Sequence, residues 1–230
     1  NIGLIIAGSL CGLAFGRFMK ENLKQTLMMV SGIIVLLLGM SGAMQYMLVI
    51  VNGTLQTTGP MLMIISMVAG AVIGELIDLN RWITVFGDWV KAKTGNTGDP
   101  QFTHAFITAS LTFTVGAMGV LGSIQDGLTG NYQTLLLKGI LDGIIVMVMV
   151  SSMGKGALFS FIPVGITQWI ITAMAHIAAP LMTPIAIDNL SYVGSILIFC
   201  VGIDLIWPGK IRIANLLPAI FVAMGLTFLL

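Results

Sequence analysis

The chain has 230 residues, 57% hydrophobic and only 8% charged, with a mean hydropathy of +1.03. A soluble domain carries about 25% charged residues, so the composition excludes one and describes a polytopic membrane protein. The formal net charge of +1 gives no attraction for nucleic acid, and Cys11 and Cys200, far apart in separate apolar runs, suggest neither a metal site nor a disulfide.

A membrane helix needs about 20 mostly apolar residues, and eight segments qualify, some marginally: 2–18, 26–51, 61–79, 103–123, 134–153, 156–181, 190–207 and 213–230. The first has no basic region before it and no A-x-A site after it, so it is expected to stay as a helix of the mature protein. Asn-Gly, Gly-Pro, Asp-Gly and Pro-Gly pairs mark mostly short connections. No soluble domain fits between them, and 1–230 reads as a single transmembrane domain.

Basic residues follow every other segment: Arg17, Lys20 and Lys24, then Arg81, Lys91 and Lys93, then Lys155, then Lys210 and Arg212. The alternate connections lack Lys and Arg. The positive-inside rule then predicts eight crossings with both termini outside. Lys138 alone breaks the pattern.

The first segment carries Gly8, Gly12 and Gly16; Gly70 and Gly74 in the third and Gly139 and Gly143 in the fifth repeat the spacing. Small residues four apart let backbones approach closely, within one chain or in a homo-oligomer. The longest connection, 80–102, contains RWITVFGDWVKAK, in which Trp82, Phe86, Trp89 and Val90 share a helical face. It is expected to form a short helix over about 81–93 on the cytoplasmic interface, as an anchor or a moving gate.

The fourth segment lines up Thr108, Thr112, Gly116, Gly119, Ser123 and Asp126 at steps of three or four, with Gln125 beside them. Such a stripe lines a polar path or makes a packing seam with back-bonded hydroxyls. In the fifth, Lys138 and Asp142 lie one turn apart inside the apolar run. An Asp or Lys at mid-helix costs about 2.5–3.5 kcal/mol, so such groups face the bundle and are paired. Either they neutralise each other or they share a polar cavity with Asp126.

FIPVGITQW breaks the sixth segment at Pro163 and Gly165, with Gln168 one turn on. Proline frees a backbone carbonyl, which a membrane tolerates where that carbonyl meets protein or a wet cavity, and broken helices are also where transporters bind substrates and ions. His176 reads as a buried or interfacial side chain. Glu75, Asp78 and Asp204 lie near cytoplasmic helix ends, where structural roles suffice. Pro218 interrupts the eighth segment. SGIIVLLLGMSGAM in the second echoes VGSILIFCVGIDLI in the seventh, and a true repeat between them would be inverted.

FITASLTFTVGAMGVLGSIQDGL, LLLKGILDG, GALFSFIPVGITQ and ANLLPAI, with NIGLIIAGSLCGL ahead of them, resemble in order the YdfK/YqgA-like family of bacterial integral membrane proteins. The resemblance spans essentially the whole chain, and GAMGVLGSIQDGL and KGILD are its most specific parts. It implies a multi-pass protein of the bacterial inner membrane and a transport role without an established substrate.

The leading expectation is a small secondary transporter. Asp142 and Asp126 would bind H⁺ or Na⁺, Lys138 would hold an anionic group or set the carboxylate pKa, and Gln125, Gln168, Thr112, Ser123 and the break in the sixth segment would add neutral ligands. A passive channel uses the same residues, and a non-transporting assembly or sensor protein stays open. GxGD, HExxH and GxSxG are absent, so an enzyme is not expected, nor is a cofactor; the metal question is left open. The partners expected are lipid and a small solute or ion.

Overall fold

The fold is given by a computed structural model, which describes residues 1–16, 18–115, 117–181 and 183–227. Arg17, Gly116 and the end of the eighth expected helix lie outside the described residues. The elements are α1 (Ile2–Gly16), α2 (Glu21–Met47), β1 (Leu48–Val51), β2 (Thr54–Thr57), α3 (Pro60–Ile77), α4 (Leu79–Lys93), α5 (Phe102–Thr114), α6 (Ala117–Thr129) and α7 (Gln133–Met153). A 3₁₀ turn (Lys155–Ser160) leads into α8 (Phe161–Ala173) and α9 (Ala175–Ala178). A further 3₁₀ turn (Ala179–Leu181) precedes α10 (Pro184–Ile206), α11 (Ile213–Leu216) and α12 (Pro218–Leu226).

The chain is a helical membrane bundle, and apolar helix falls at each expected segment. Among the described residues five helices are long and apolar enough to cross a membrane: Asn22–Met47, Pro60–Ile77, Gln133–Met153, Lys155–Ala173 and Pro184–Ile206. Phe102–Thr114 and Met118–Thr129, bent by 60°, make a sixth if counted as one span, while Ile2–Gly16 and Ile213–Leu226 are shorter.

Missing side chains set the close contacts. A Cβ on Gly8, Gly12 or Gly16 would run into the carbonyls of Gly143, Met147 and Ser151 in turn, so α1 lies parallel to α7 at backbone contact. Ser151 Oγ adds a hydrogen bond to the Gly12 carbonyl at 3.0 Å. Gly70 and Gly74 of α3 meet Ala219 and Asn215, and Gly32, Gly39 and Gly42 of α2 meet Ile206, Phe199 and Ser195 of α10. Both of those pairs are therefore antiparallel. The glycine stripes of α1, α3 and α7 thus serve contacts within the chain, and the two segments that echo each other in sequence pack face to face.

A core cluster joins Ile5, Val35, Ala105, Phe113, Met149, Val164 and Leu205, drawn from α1, α2, α5, α7, α8 and α10. By contrast α2 and α3 leave Leu37, Leu38, Ile64, Val68 and Leu76 exposed, as lipid-facing residues would be. At the end rich in lysine, α4 packs Val90, Gly87 and Phe86 onto Phe106 of α5, and Asp88 accepts a hydrogen bond from Thr103 at 2.6 Å. The shared face expected for this helix divides: Val90 is buried, whereas Trp82 and Trp89 stay exposed.

Three expectations change. The second helix, expected to reach residue 51, ends at Met47 and gives way to an antiparallel hairpin with Val51 paired to Thr54. Asn52 and Gly53 take φ values of 51° and 76°, the type I′ turn that matches strand twist, and the β-branched Val49, Ile50 and Val51 suit the extended arm. The fourth helix, expected unbroken over 103–123, stops at Thr114, with Val115 extended at ψ 121°. The break expected at Pro163 and Gly165 is instead a change from 3₁₀ to α-helix at Ser160–Phe161. Pro163 stands in the first turn of α8, where its missing N–H costs little, and Gly165 admits Ile2 of α1.

Candidate functional site

The end of α5 creates the site. A helix that stops leaves its last carbonyls without intrahelical partners, and here it stops inside the bundle. The Phe113 carbonyl accepts a hydrogen bond from Lys138 Nζ at 2.9 Å. Lys138, on the second turn of α7, also donates to Asp142 Oδ2 one turn further on. Its ammonium thus sits between a carboxylate and the negative end of a helix dipole. Lys138 and Asp142 are each only 6% exposed. In a low-dielectric interior such charges persist only when paired and hydrogen-bonded, and here the carboxylate and the free carbonyl take two of the three ammonium donors.

The pair lines a cavity of about 310 Å³ between α2, α5, α7 and α10. Thr112 of α5, Gln45 and Tyr46 of α2, and Ser191 and Ser195 of α10 add its other polar groups; most of the remaining wall is aliphatic. Thr112 Oγ1 is back-bonded to the Thr108 carbonyl at 2.7 Å, so it can offer the cavity an acceptor lone pair. The formal charge of the lining is zero, one lysine against one aspartate. A chamber of this size can take a small organic ion or a solute with a few waters.

Gly119 of α6 supplies the space behind the pair. A Cβ there would lie 3.2 Å from Lys138 Cε and 3.6 Å from Gln168 Nε2, so the bare backbone lets the lysine stem pass and brings Gln168 alongside. Gln168 is buried and borders a void of only about 10 Å³ with Phe113 and Gly119, at most one water's worth. It backs the ion pair and does not face the chamber.

Of the expected site residues, Lys138, Asp142 and Thr112 meet at the chamber with Gln168 behind them. Gln125, Asp126 and Ser123 do not line it. Gln125 Oε1 accepts from Thr134 Oγ1 at 2.7 Å, and the Ser123 carbonyl accepts from Thr172 Oγ1 at 3.1 Å, so these residues tie α6 to α7 and α8. Asp126 is half-buried on the same stretch. The bend explains the separation: it turns α6 out of line with α5, and a stripe continuous on a straight helix is cut at Val115. Asp126 therefore does not line the chamber, although it and Asp142 both lie within electrostatic reach of Asn1.

Gln45, Tyr46, Ser191 and Ser195 were not expected. Ser191 and Ser195 lie one turn apart inside an apolar run, a usable signal; Gln45 and Tyr46 read only as the polar end of a helix. The acidic residues at the lysine-rich end are all partnered. Glu75 pairs with Arg212 at 3.2 Å, Asp78 Oδ1 accepts from the Arg81 backbone N–H at 3.4 Å, and Asp204 is held by His104 and by the Gly209 N–H. His176 is exposed. Among the described residues no three His, Cys, Asp or Glu side chains come together as a metal site requires.

A family model described as "Protein of unknown function (DUF554)" matches residues 1–228. The chain is similar to the "Uncharacterized membrane protein YdfK" of Bacillus subtilis (strain 168), with 27% identity over 231 residues that cover 100% of this chain and 94% of the relative. It is also similar to the "Uncharacterized protein YqgA" of Escherichia coli (strain K12), with 23% identity over 235 residues that cover 99% of this chain and 94% of that protein. No solved structure matches.

Proposed function

The chain belongs to this DUF554 family of membrane proteins, and on that premise we propose that it is a small secondary transporter of the bacterial inner membrane. It moves a small anionic solute or ion coupled to H⁺ or Na⁺. The observation that carries the reading is that the buried Lys138–Asp142 pair faces a chamber of about 310 Å³ and is not sealed by packing.

Charge balance supplies the coupling. An anionic group that takes Lys138 as its partner leaves the Asp142 carboxylate buried and unpaired, at a cost of several kcal/mol. A proton or Na⁺ arriving at Asp142 removes that cost, so anion and cation enter together. Release of both restores the original pair. Thr112, Ser191 and Ser195 would hydrogen-bond the rest of the guest, and the frayed end of α5 is the place where one group of helices rocks against another.

Eight crossings with both termini outside remain the topology we favour. The parallel α1–α7 pair and the antiparallel α2–α10 and α3–α12 pairs run as strict alternation requires, and the lysine-rich connections gather at one end. Phe113, 1% exposed, lines the chamber and Leu111, 5% exposed, lines the cavity at the lysine-rich end, so buried apolar side chains stand where the two spaces approach each other, which favours a carrier over an open channel.

The test uses proteoliposomes loaded with a pH-sensitive dye and challenged with a panel of small carboxylates, with ²²Na⁺ uptake in parallel. Wild-type protein should give anion-dependent entry of H⁺ or Na⁺, and Asp142→Asn should abolish it while the protein remains folded in detergent. Undiminished flux in Asp142→Asn, or no gradient-dependent flux in the wild type across the panel, overturns the reading.

A further inference from the structure

A second cavity, of about 360 Å³, lies at the lysine-rich end between α4, α5, α10 and the 209–214 connection. Its wall includes His104 and Thr108 of α5 and Asp204 of α10. His104 Nε2 lies 3.2 Å from Asp204 Oδ2, while Asp204 Oδ1 accepts from the Gly209 N–H at 2.8 Å. Both carboxylate oxygens are therefore engaged and the imidazole is held in one orientation, with a side chain 39% exposed. A partly exposed histidine oriented by a buried carboxylate is an arrangement suited to passing protons to water.

His104, Thr108 and Thr112 stand at i, i+4 and i+8, on one face of α5. Thr112 borders the Lys138–Asp142 chamber and Thr108 borders the second cavity. The two spaces are thus divided by a single turn of one helix, about 6 Å along its axis. We propose that the second cavity is the inner mouth of the same pathway and that His104 is its proton-exchange residue. The proposal rests on the transport reading above. The coupling proton taken by Asp142 on the hairpin side leaves by way of the threonine face to His104, and from there to solvent. The charged groups around this ring are Asp204 of α10 against it and Arg212, from the connection before α11, on the same cavity wall and paired to Glu75 of α3; Asp88 of α4 is bonded to the neighbouring Thr103.

Two measurements test it. In a Cys11→Ala, Cys200→Ala background, Thr108→Cys and Thr112→Cys are exposed to a membrane-impermeant methanethiosulfonate on either side of oriented vesicles. Labelling of Thr108→Cys only from the lysine-rich side and of Thr112→Cys only from the opposite side supports the mouth; labelling of Thr108→Cys from the opposite side, or from neither, overturns it. In dye-loaded proteoliposomes His104→Gln should slow proton release at least tenfold and change its dependence on pH, with Asp204→Asn slowing release to a smaller extent. A wild-type profile in His104→Gln removes the assignment while leaving the chamber intact. Absence of proton movement in the wild type overturns the His104 role, and absence of ²²Na⁺ uptake as well sinks the transport reading; the labelling pattern then decides the mouth by itself.

Discussion

Lys138–Asp142 and His104–Asp204 are both acid–base pairs inside an apolar bundle, yet they solve burial in opposite ways. The first pair lies within one helix, has almost no access to solvent, and needs a third group, the Phe113 carbonyl freed where α5 stops. The second joins two helices near their ends, keeps its histidine partly in water, and takes its third group from a loop, the Gly209 N–H. Charge near a helix end escapes much of the desolvation cost, whereas charge in mid-helix must be compensated by the protein itself. The lesson is that broken backbone in this molecule is placed where the interior charge requires it.

Removing one member of the interior pair should have the largest effect. Lys138→Met or Asp142→Leu leaves a single buried charge and should cost about 3–5 kcal/mol in unfolding from mixed micelles. The double variant should recover most of that stability and no transport. A double variant no more stable than either single one would show that the two residues do not act as a pair.

Next comes the scaffold that carries only the interior pair. Gly8→Leu would drive a side chain into the Gly143 carbonyl on α7, one residue past Asp142, and should cost about 1–3 kcal/mol; Gly3→Leu, which meets nothing within 4 Å, is the control and should be silent. Equal melting temperatures for the two variants would remove the close α1–α7 packing from the argument.

Effects at the His104–Asp204 pair should be milder. Asp204→Asn loses a charge-assisted bond but leaves His104 access to water, so about 1–2 kcal/mol is expected, well below Asp142→Leu in the same assay. Trp82→Ala, at a ring 67% exposed on α4, should change stability in micelles by less than about 0.5 kcal/mol. A larger loss there would mean that α4 is held by its outer face and not by Val90 and Phe86.

Much of the framework was legible along the chain. Apolar runs mark where apolar helix forms among the described residues, and the lysine pattern finds the end at which Lys24, Asp99 and Lys155 meet around one cavity. Lys138 and Asp142 could be singled out because a charge inside such a run has few explanations. The hairpin at 48–57 was hidden, since Val49, Ile50 and Val51 are as apolar as the helix before them; only Asn52-Gly53 betrays the turn. Asp126 was expected to share the chamber and does not line it, because a periodicity argument assumes a straight helix.

Composition and spacing by themselves determined that this chain is a helical membrane bundle with an ion pair to hide, because hydrophobicity and charge are properties each residue carries wherever it goes. Which carbonyl Lys138 meets, which serines and which glutamine of α2 and α10 face it, and that His104 lies against Asp204 were decided only by the tertiary structure. Those contacts join residues about 25 to 100 positions apart, and their geometry depends on where α5 stops and how closely the glycine-faced helices can approach.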